Sequence, residues 1–419
     1  MPTDSGAAAA NGVRRIAILL PSLEGGGAER SMLNLATGLL ARGREVDIVI
    51  CKNKGAYLDE IPVGARRVVL ACSGTLGARL FPLVVRPDLL WPMLRTVVLP
   101  KKVPPETARL RSLRNYFAAG EADALISALP YANLVALWAR EAAGATLPVV
   151  VSERIALLTY CRSPDNFRKW RWRYLPELLK RSYDEADCIV SVSQSVGDEL
   201  IDELGLDPGR METIYNPVVD DSLAGKAAEP TEHPWFEQGQ PPVILGVGRL
   251  TEQKGFANLI RAFALLRQSR EARLVLLGEG RQRASLVQLA ETLGISNDVD
   301  MPGFVDNPFK YMANASVTAL SSRYEGLPGV LIQAMACGCP VVSTDCPGGS
   351  REILDNGRYG PLVAVNDPAA LASALETTLQ APLGRDKLVQ RAQAFSLDRS
   401  VDQYLSLVDR LHASSQKAS

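Results

Sequence analysis

Apolar residues recur along this chain in two spacings. Short apolar runs predict buried strands at 15–20, 45–51, 124–128, 147–152 and 188–193. Met32, Leu33, Leu35, Ala36, Leu39 and Leu40 fall at helical spacing and predict a helix that Gly43 stops. Over 217–240 the pattern lapses, with Pro217, Gly225, Pro230, Pro234 and Gly239 among polar residues, which is the composition of a linker. It restarts with strands at 243–248, 272–277, near Val299, at 316–320 and at 340–344, and with helices at 256–269, 281–293 and 329–336. A last helical stretch covers 400–412.

Strands alternating with helices predict an α/β chain of two doubly wound, Rossmann-like domains with a ligand cleft between them. The expected boundaries are an N-terminal Rossmann-like domain at 13–216, the linker at 217–240 and a C-terminal Rossmann-like domain at 241–396. Residues 397–419 are expected as a helix returning to the first domain and a tail. Residues 1–12 lack the basic start and apolar middle of a signal peptide and are expected to be a disordered tail.

At 419 residues the chain is too long for one ordinary core, in agreement with two domains. Its formal net charge of +0 argues against nucleic acid as principal partner. No run approaches the roughly 18 apolar residues of a spanning helix, so a cytoplasmic protein is expected. The seven cysteines lack zinc-ligand spacing and read as reduced, buried thiols, and no metal is expected. Asp298-Val299-Asp300 has the spacing of a metal-holding pair but lies in a turn, where capping explains it.

Charged groups gather at two predicted strand ends. Arg249 ends the strand at 243–248, and Lys254 lies in the loop before the next helix. Two cations beside a helix start suit a diphosphate, whose charge grows as a sugar–phosphate bond breaks. Alone, this pair would read as an exposed basic loop. A second element points to the same sheet edge: the strand at 316–320 runs into Ser321-Ser322-Arg323-Tyr324-Glu325-Gly326-Leu327-Pro328-Gly329 and then a helix. Glu325 suits hydrogen bonds from sugar hydroxyls, and it equally suits simple capping of that helix.

These segments together resemble the retaining glycosyltransferases of family 4, the bacterial surface-polysaccharide type with the GT-B fold. The matching residues are Gly25-Gly26-Gly27-Ala28-Glu29-Arg30, Gly248-Arg249-Leu250 with Lys254-Gly255, Gly278-Glu279-Gly280, Gly303-Phe304-Val305, and Glu325-Gly326-Leu327-Pro328 running to Ala334. The resemblance spans nearly the whole chain. It implies that Arg249 and Lys254 hold the donor diphosphate as the catalytic cations, with Glu325 beside the donor sugar. It further implies a donor site of Gly248, Glu279, Gly326, Leu327, Pro328, Gly329 and Val330, with Phe304 and Val305 near the base and Gly26 and Gly27 closing over the phosphates. The implied substrate is a nucleoside diphosphate sugar, UDP-linked in first place and GDP-linked in second, with no other cofactor.

The chain departs from the family pattern at two points. Gln333 stands where a second glutamate usually grips the ribose, so weakened ribose binding is expected. No histidine is available for the N-terminal domain, since His233 lies in the linker and His412 in the tail. Tyr131, Asn133, Glu153 and Arg154 follow predicted strands and are candidates for an acceptor pocket, although ordinary loop polarity explains them almost as well.

Residues 79–102 mix Leu80, Phe81, Leu89, Leu90, Trp91, Met93 and Leu94 with Arg79, Arg86, Arg95, Lys101 and Lys102, and 162–173 repeats the theme with Arg162, Arg168, Lys169, Trp170, Arg171, Trp172 and Arg173. Both fit peripheral docking on the anionic inner face of the plasma membrane, with a lipid-linked saccharide acceptor. A packed helix with a solvated basic face fits them nearly as well. Two other functions share the architecture: a nucleotide-sugar epimerase or hydrolase, which needs no acceptor, and a non-catalytic partner subunit, which Gln333 favours.

Overall fold

Two parallel sheets organise the chain, and in each the strand order reverses once. The computed structural model describes residues 12–418, so residues 1–11 of the expected tail lie outside the described residues. The first sheet contains β1 (Arg15–Leu20), β2 (Glu45–Ile50), β3 (Arg66–Val69), β4 (Ala124–Ala128), β5 (Val149–Glu153), β6 (Cys188–Ser191) and β7 (Met211–Thr213), in the order β3-β2-β1-β4-β5-β6-β7. The second contains β8 (Val243–Val247), β9 (Arg273–Leu277), β10 (Val299–Gly303), β11 (Val317–Leu320), β12 (Val341–Thr344) and β13 (Leu362–Val363), in the order β10-β9-β8-β11-β12-β13. The reversals fall between β1 and β4 and between β8 and β11. Open parallel sheets bind ligands at such points, beyond the carboxyl ends of the strands.

Burial on both faces explains why the central strands of each sheet read as continuous apolar runs. In β1, Ile16, Ile18 and Leu20 face one core layer while Ala17 and Leu19 face the other. Met32, Leu35 and Leu39 of the helix Gly27–Ala41 fill the first layer, with Val401 and Tyr404 of the helix Leu397–Ala418. Leu134 and Trp138 of the helix Pro130–Ala143 fill the second. In the other sheet, Ile244, Leu274 and Val317 pack beneath Leu259 and Phe263 of the helix Phe256–Leu266 and Leu371 and Leu375 of the helix Pro368–Gln380. Each such side chain contributes about 1.5–3 kcal/mol when fully buried.

By internal contacts the chain divides into one unit of Met1–Pro217 with Leu397–Ser419 and another of Val218–Ser396. The 217–240 segment, read from its composition as a linker, is largely packed structure of the second unit. Val218 and Val219 donate to the Phe395 carbonyl, and Ser222–Ala227 is helical. The His233 ring meets Asp300 at 2.8 Å and packs edge-on to Phe236 and Tyr311. His233, Trp235 and Phe236, set among prolines and glycines, anchor a segment whose average composition looks unstructured.

Six of the seven cysteines are buried and Cys72 is exposed. Burial pushes the thiols of Cys337, Cys339 and Cys346 up to about 12, which leaves them neutral. Asp298 pairs with Arg267 and Arg273, and Asp300 with His233. Among the described residues no helix is long and apolar enough to cross a membrane.

Candidate functional site

The carboxyl end of β8 turns sharply into the helix Phe256–Leu266, and this turn positions the two cations. Gly248 has φ +153, and a side chain there would crowd the Lys254 stem, with Cε 3.3 Å from the added carbon. Gly255 has φ +63, and its missing Cβ leaves room for the Ser321 carbonyl oxygen. The loop is sewn to the one after β11: Ser321 Oγ donates to the Lys254 carbonyl at 2.9 Å, Arg323 N to the Gln253 carbonyl at 2.8 Å, and Gln253 Nε2 to the Tyr324 carbonyl at 3.1 Å.

Across that seam Lys254 Nζ meets Glu325 Oε1 at 2.7 Å, with side chains 16% and 9% exposed. Ser322 Oγ donates to the same oxygen at 2.5 Å, and Ser322 is itself held by Thr344 Oγ1, which donates to its carbonyl at 2.6 Å. A nearly buried pair of this kind is destabilised by about 3–5 kcal/mol when one partner is removed. Arg249 is exposed, and among the described residues its guanidinium has no ion pair or hydrogen bond. Lys254 and Glu325 cancel in charge, so of these three residues Arg249 supplies the net positive charge.

The neighbouring strand ends complete this edge. Gly248 N donates to the Leu277 carbonyl at 2.9 Å and Gly278 N to the Gly303 carbonyl at 2.7 Å, so the motifs after β8, β9 and β10 lie side by side. Glu279 pairs with Arg283 at 3.0 Å. Phe304 stands 74% exposed beside half-buried Val305. After β11, Gly326, Leu327 and Pro328 are buried and lead into the helix Gly329–Ala336, whose N-cap residue, Pro328, makes no side-chain capping bond. Val330 and Gln333 are half-buried on that helix. One further segment went unread in the sequence: Gly349 N donates to the Gly326 carbonyl at 2.6 Å, and the Pro347-Gly348-Gly349 turn was the signal available for it.

The first unit has its own switch point. Gly26 caps the helix Gly27–Ala41 in extended conformation, directly after the β1 loop. After β4, Leu129 takes φ 80 and ψ 141, a conformation that costs a non-glycine residue about 1–3 kcal/mol. The four candidates for an acceptor pocket are all buried, and each bonds inside the fold through at least one polar atom. Tyr131 OH donates to the Arg171 carbonyl at 2.6 Å. Asn133 Nδ2 donates to Ser152 O at 3.1 Å, Glu153 Oε1 at 3.0 Å and Tyr183 OH at 3.0 Å. Arg154 contacts Asn216, Met32 and, at 3.0 Å, Tyr404 OH. Burial pushes the Glu153 carboxyl up to about 7.

The apolar and basic segments divide between surface and core. Leu76, Leu80 and Val84 project from the helix Gly74–Val85 four residues apart, so they form one exposed stripe, and Trp91, Leu99, Phe167 and Trp170 are exposed beyond it. Arg95, Lys101, Lys102, Arg168, Lys169 and Arg173 are exposed as well. Leu89, Met93 and Arg86 are instead buried, Arg86 in a knot with Asp88, Glu141 and Glu185. Trp172 packs inward between Tyr131 and Tyr160.

Comparison with known proteins gives concordant matches. Residues 229–395 match the family model described as glycosyl transferases group 1, and 25–222 match that of glycosyltransferase family 4. The chain is 30% identical over 387 residues, 91% of its length and 96% of the relative's, to the N-acetylgalactosamine-N,N'-diacetylbacillosaminyl-diphospho-undecaprenol 4-alpha-N-acetylgalactosaminyltransferase of Campylobacter jejuni. It is 25% identical over 403 residues, 94% of its length and 98% of the relative's, to a second enzyme of that organism, the GalNAc-alpha-(1->4)-GalNAc-alpha-(1->3)-diNAcBac-PP-undecaprenol alpha-1,4-N-acetyl-D-galactosaminyltransferase. In fold it resembles Anabaena Alr3699/HepE in complex with UDP, with a TM-score of 0.67 at 21% identity over 97% of this chain and all of that one.

Proposed function

From the premise that this chain belongs to glycosyltransferase family 4 and is a glycosyltransferase of GT-B fold, we propose that it moves a sugar from a nucleoside diphosphate donor to a lipid-linked saccharide, with retention at the anomeric carbon. The observation that carries the donor side is the Lys254–Glu325 pair at the β8/β11 switch point, with Arg249, which has no ion pair among the described residues, at the end of β8. An ammonium has three donors, and Glu325 engages one of them. Two remain for phosphate oxygens, and the Arg249 guanidinium offers a bidentate fork. As the sugar leaves, charge builds on the diphosphate, so fixed cations stabilise the transition state more than the bound donor. That role asks for no metal ion.

In this reading Glu325 orients Lys254 and accepts from a donor-sugar hydroxyl. The uncapped start of Gly329–Ala336 faces the donor with the N–H groups of Gly329 and Val330, Phe304 and Val305 flank the base, and Gln333 accepts from a ribose hydroxyl. A UDP-sugar is the first donor proposed and a GDP-sugar the second. Support for UDP comes from a protein of like fold that binds it. Support for a lipid-diphosphate acceptor comes from the two relatives named for undecaprenol-linked substrates.

The stripe of Leu76, Leu80 and Val84, with Trp91, Leu99 and Trp170 and the cations of 79–102 and 162–173, would rest on an anionic membrane surface and admit such an acceptor. Incubation with labelled nucleotide sugars, with and without membrane lipid extract, tests the reading. Acceptor-dependent release of nucleoside diphosphate, with the donor's anomeric configuration kept in the product, is expected. Turnover without acceptor would make the protein a hydrolase or epimerase, and no turnover with any donor would make it a silent subunit.

A further inference from the structure

The ends of β4 and β5 enclose polar atoms that the donor chemistry does not use. Glu153, the last residue of β5, is 0% exposed. Its Oε1 accepts from Tyr183 OH and from Asn133 Nδ2. Among the described residues its Oε2 has no partner, and neither do Asn133 Oδ1 and the hydroxyls of Ser127 and Ser152, all of them buried. The titratable neighbours are Tyr183, Arg154, Glu199 and Cys161. Arg154 is committed to Asn216, Met32 and Tyr404, and Glu199 to the backbone of Leu158 and Thr159. Among the described residues Glu153 forms no salt bridge, and the nearby Arg154 charge is outweighed by burial. An ionised carboxylate with an idle oxygen is costly in such a place, whereas a proton on Oε2 removes the charge and supplies a donor.

The same cluster governs a strained turn. Leu129, with its positive φ, precedes Pro130 at the start of the helix Pro130–Ala143. Leu129 N donates to the Ser152 carbonyl at 3.3 Å, Asn133 N to the Leu129 carbonyl at 2.9 Å, and Asn133 Nδ2 to Ser152 O at 3.1 Å. Asn133 therefore fastens the start of this helix to β5, at the switch point of the first sheet, and Glu153 holds Asn133 from the other side.

We propose that Glu153 is a positioning residue for sugar transfer: as a neutral acid it holds Asn133, and through Asn133 the Leu129–Pro130 turn at the switch point of the first sheet, where the acceptor would bind. This deepens, and rests on, the transferase reading above. Burial favours the neutral acid and pushes its titration up to about 7. Above that pH the ionised carboxylate seeks a donor or water, and the turn loosens.

The test is the pH dependence of kcat and of acceptor KM for the wild type, Glu153→Gln and Glu153→Ala, with infrared spectra of the same proteins. The wild type should lose about tenfold in acceptor turnover per pH unit above neutrality. Glu153→Gln, which keeps shape and cannot ionise, should work within about twofold of the wild type at low pH and lack that fall. Glu153→Ala should be impaired at least about tenfold at every pH, mainly through acceptor KM. The wild type should show a buried carboxylic C=O band that fades through neutrality and is missing from Glu153→Gln. A Glu153→Gln profile falling like the wild type's, or no such band in the wild type, overturns the positioning role and leaves the transferase reading standing. Absence of transfer by the wild type at any pH sinks the transferase reading itself.

Discussion

Lys254 Nζ lies 2.7 Å from Glu325 Oε1, and this contact joins loops 71 positions apart in the chain. Both side chains are largely withdrawn from water, so neither charge is indifferent to the other. The pair fixes the ammonium at the end of β8 while leaving it free donors. Arg249, exposed beside it, is held by no partner among the described residues.

Stability and activity should therefore separate. Lys254→Ala leaves Glu325 nearly buried without its cation and should lower unfolding free energy by about 3–5 kcal/mol. Adding Glu325→Gln should recover a large part of that loss, as read by urea midpoints in a double-mutant cycle. Arg249→Ala should leave the midpoint within about 0.5 kcal/mol of the wild type. Equal destabilisation by both alanine variants would refute this division of roles.

A side chain at Gly255 meets two obstacles, the Ser321 carbonyl oxygen and a φ of +63. Gly255→Ala should destabilise the second unit by about 2 kcal/mol or more. Calorimetry of the intact chain checks this, and an unchanged melting temperature would show that the seam between the two loops yields easily.

The main strands and the turns that carry Arg249, Lys254 and Glu325 were legible because their signals are local. A glycine at a strand end and a helix start each announce themselves within a few residues, and Gly248, Gly255 and Gly303 do so here. The Lys254–Glu325 contact was not legible as a contact, although each residue stood out alone. The acceptor side was hardest, since polar residues after a strand read alike whether they line a pocket or are folded beneath it. Tyr131, Asn133, Glu153 and Arg154 are all buried. Arg86 misled in the same way, because the carboxylates that bury it come from distant segments such as Glu141 and Glu185.

Glu153 should also leave a mark on stability against pH. Its ordinary value is 4.5 and its folded value is pushed up to about 7. Below pH 4.5 both states are protonated. Between these values the unfolded chain ionises while the folded one keeps its proton, so stability falls as pH rises, by at most about 1.4 kcal/mol per unit, and levels off above 7. Urea midpoints of the wild type minus those of Glu153→Gln should trace that slope. Parallel curves would mean that Glu153 titrates alike in the folded and the unfolded chain.

Gln333→Glu restores a charged acceptor on the helix Gly329–Ala336. Affinity for the nucleoside diphosphate should hold or rise by up to about tenfold in isothermal titration, as a charge-assisted bond replaces a neutral one. A large loss would assign Gln333 another role.

Leu80→Asp with Val84→Asp places charges on the exposed stripe of Gly74–Val85. Binding to vesicles rich in anionic lipid should fall at least about fivefold, on top of a loss with added salt common to both proteins. Wild-type protein that fails to float with such vesicles at low salt would remove the membrane surface from the account.

The central claim is that Arg249 and Lys254 together stabilise the departing diphosphate. Its most direct measure is the rate of acceptor-dependent transfer, with a chelator present, by the wild type and by the doubly neutralised Arg249→Ala, Lys254→Gln protein at matched folded fraction. Loss of one such group costs about 10²–10³ in kcat, so the double variant should be slower by at least that factor while the wild type keeps its rate. A double variant that turns over like the wild type would contradict the account.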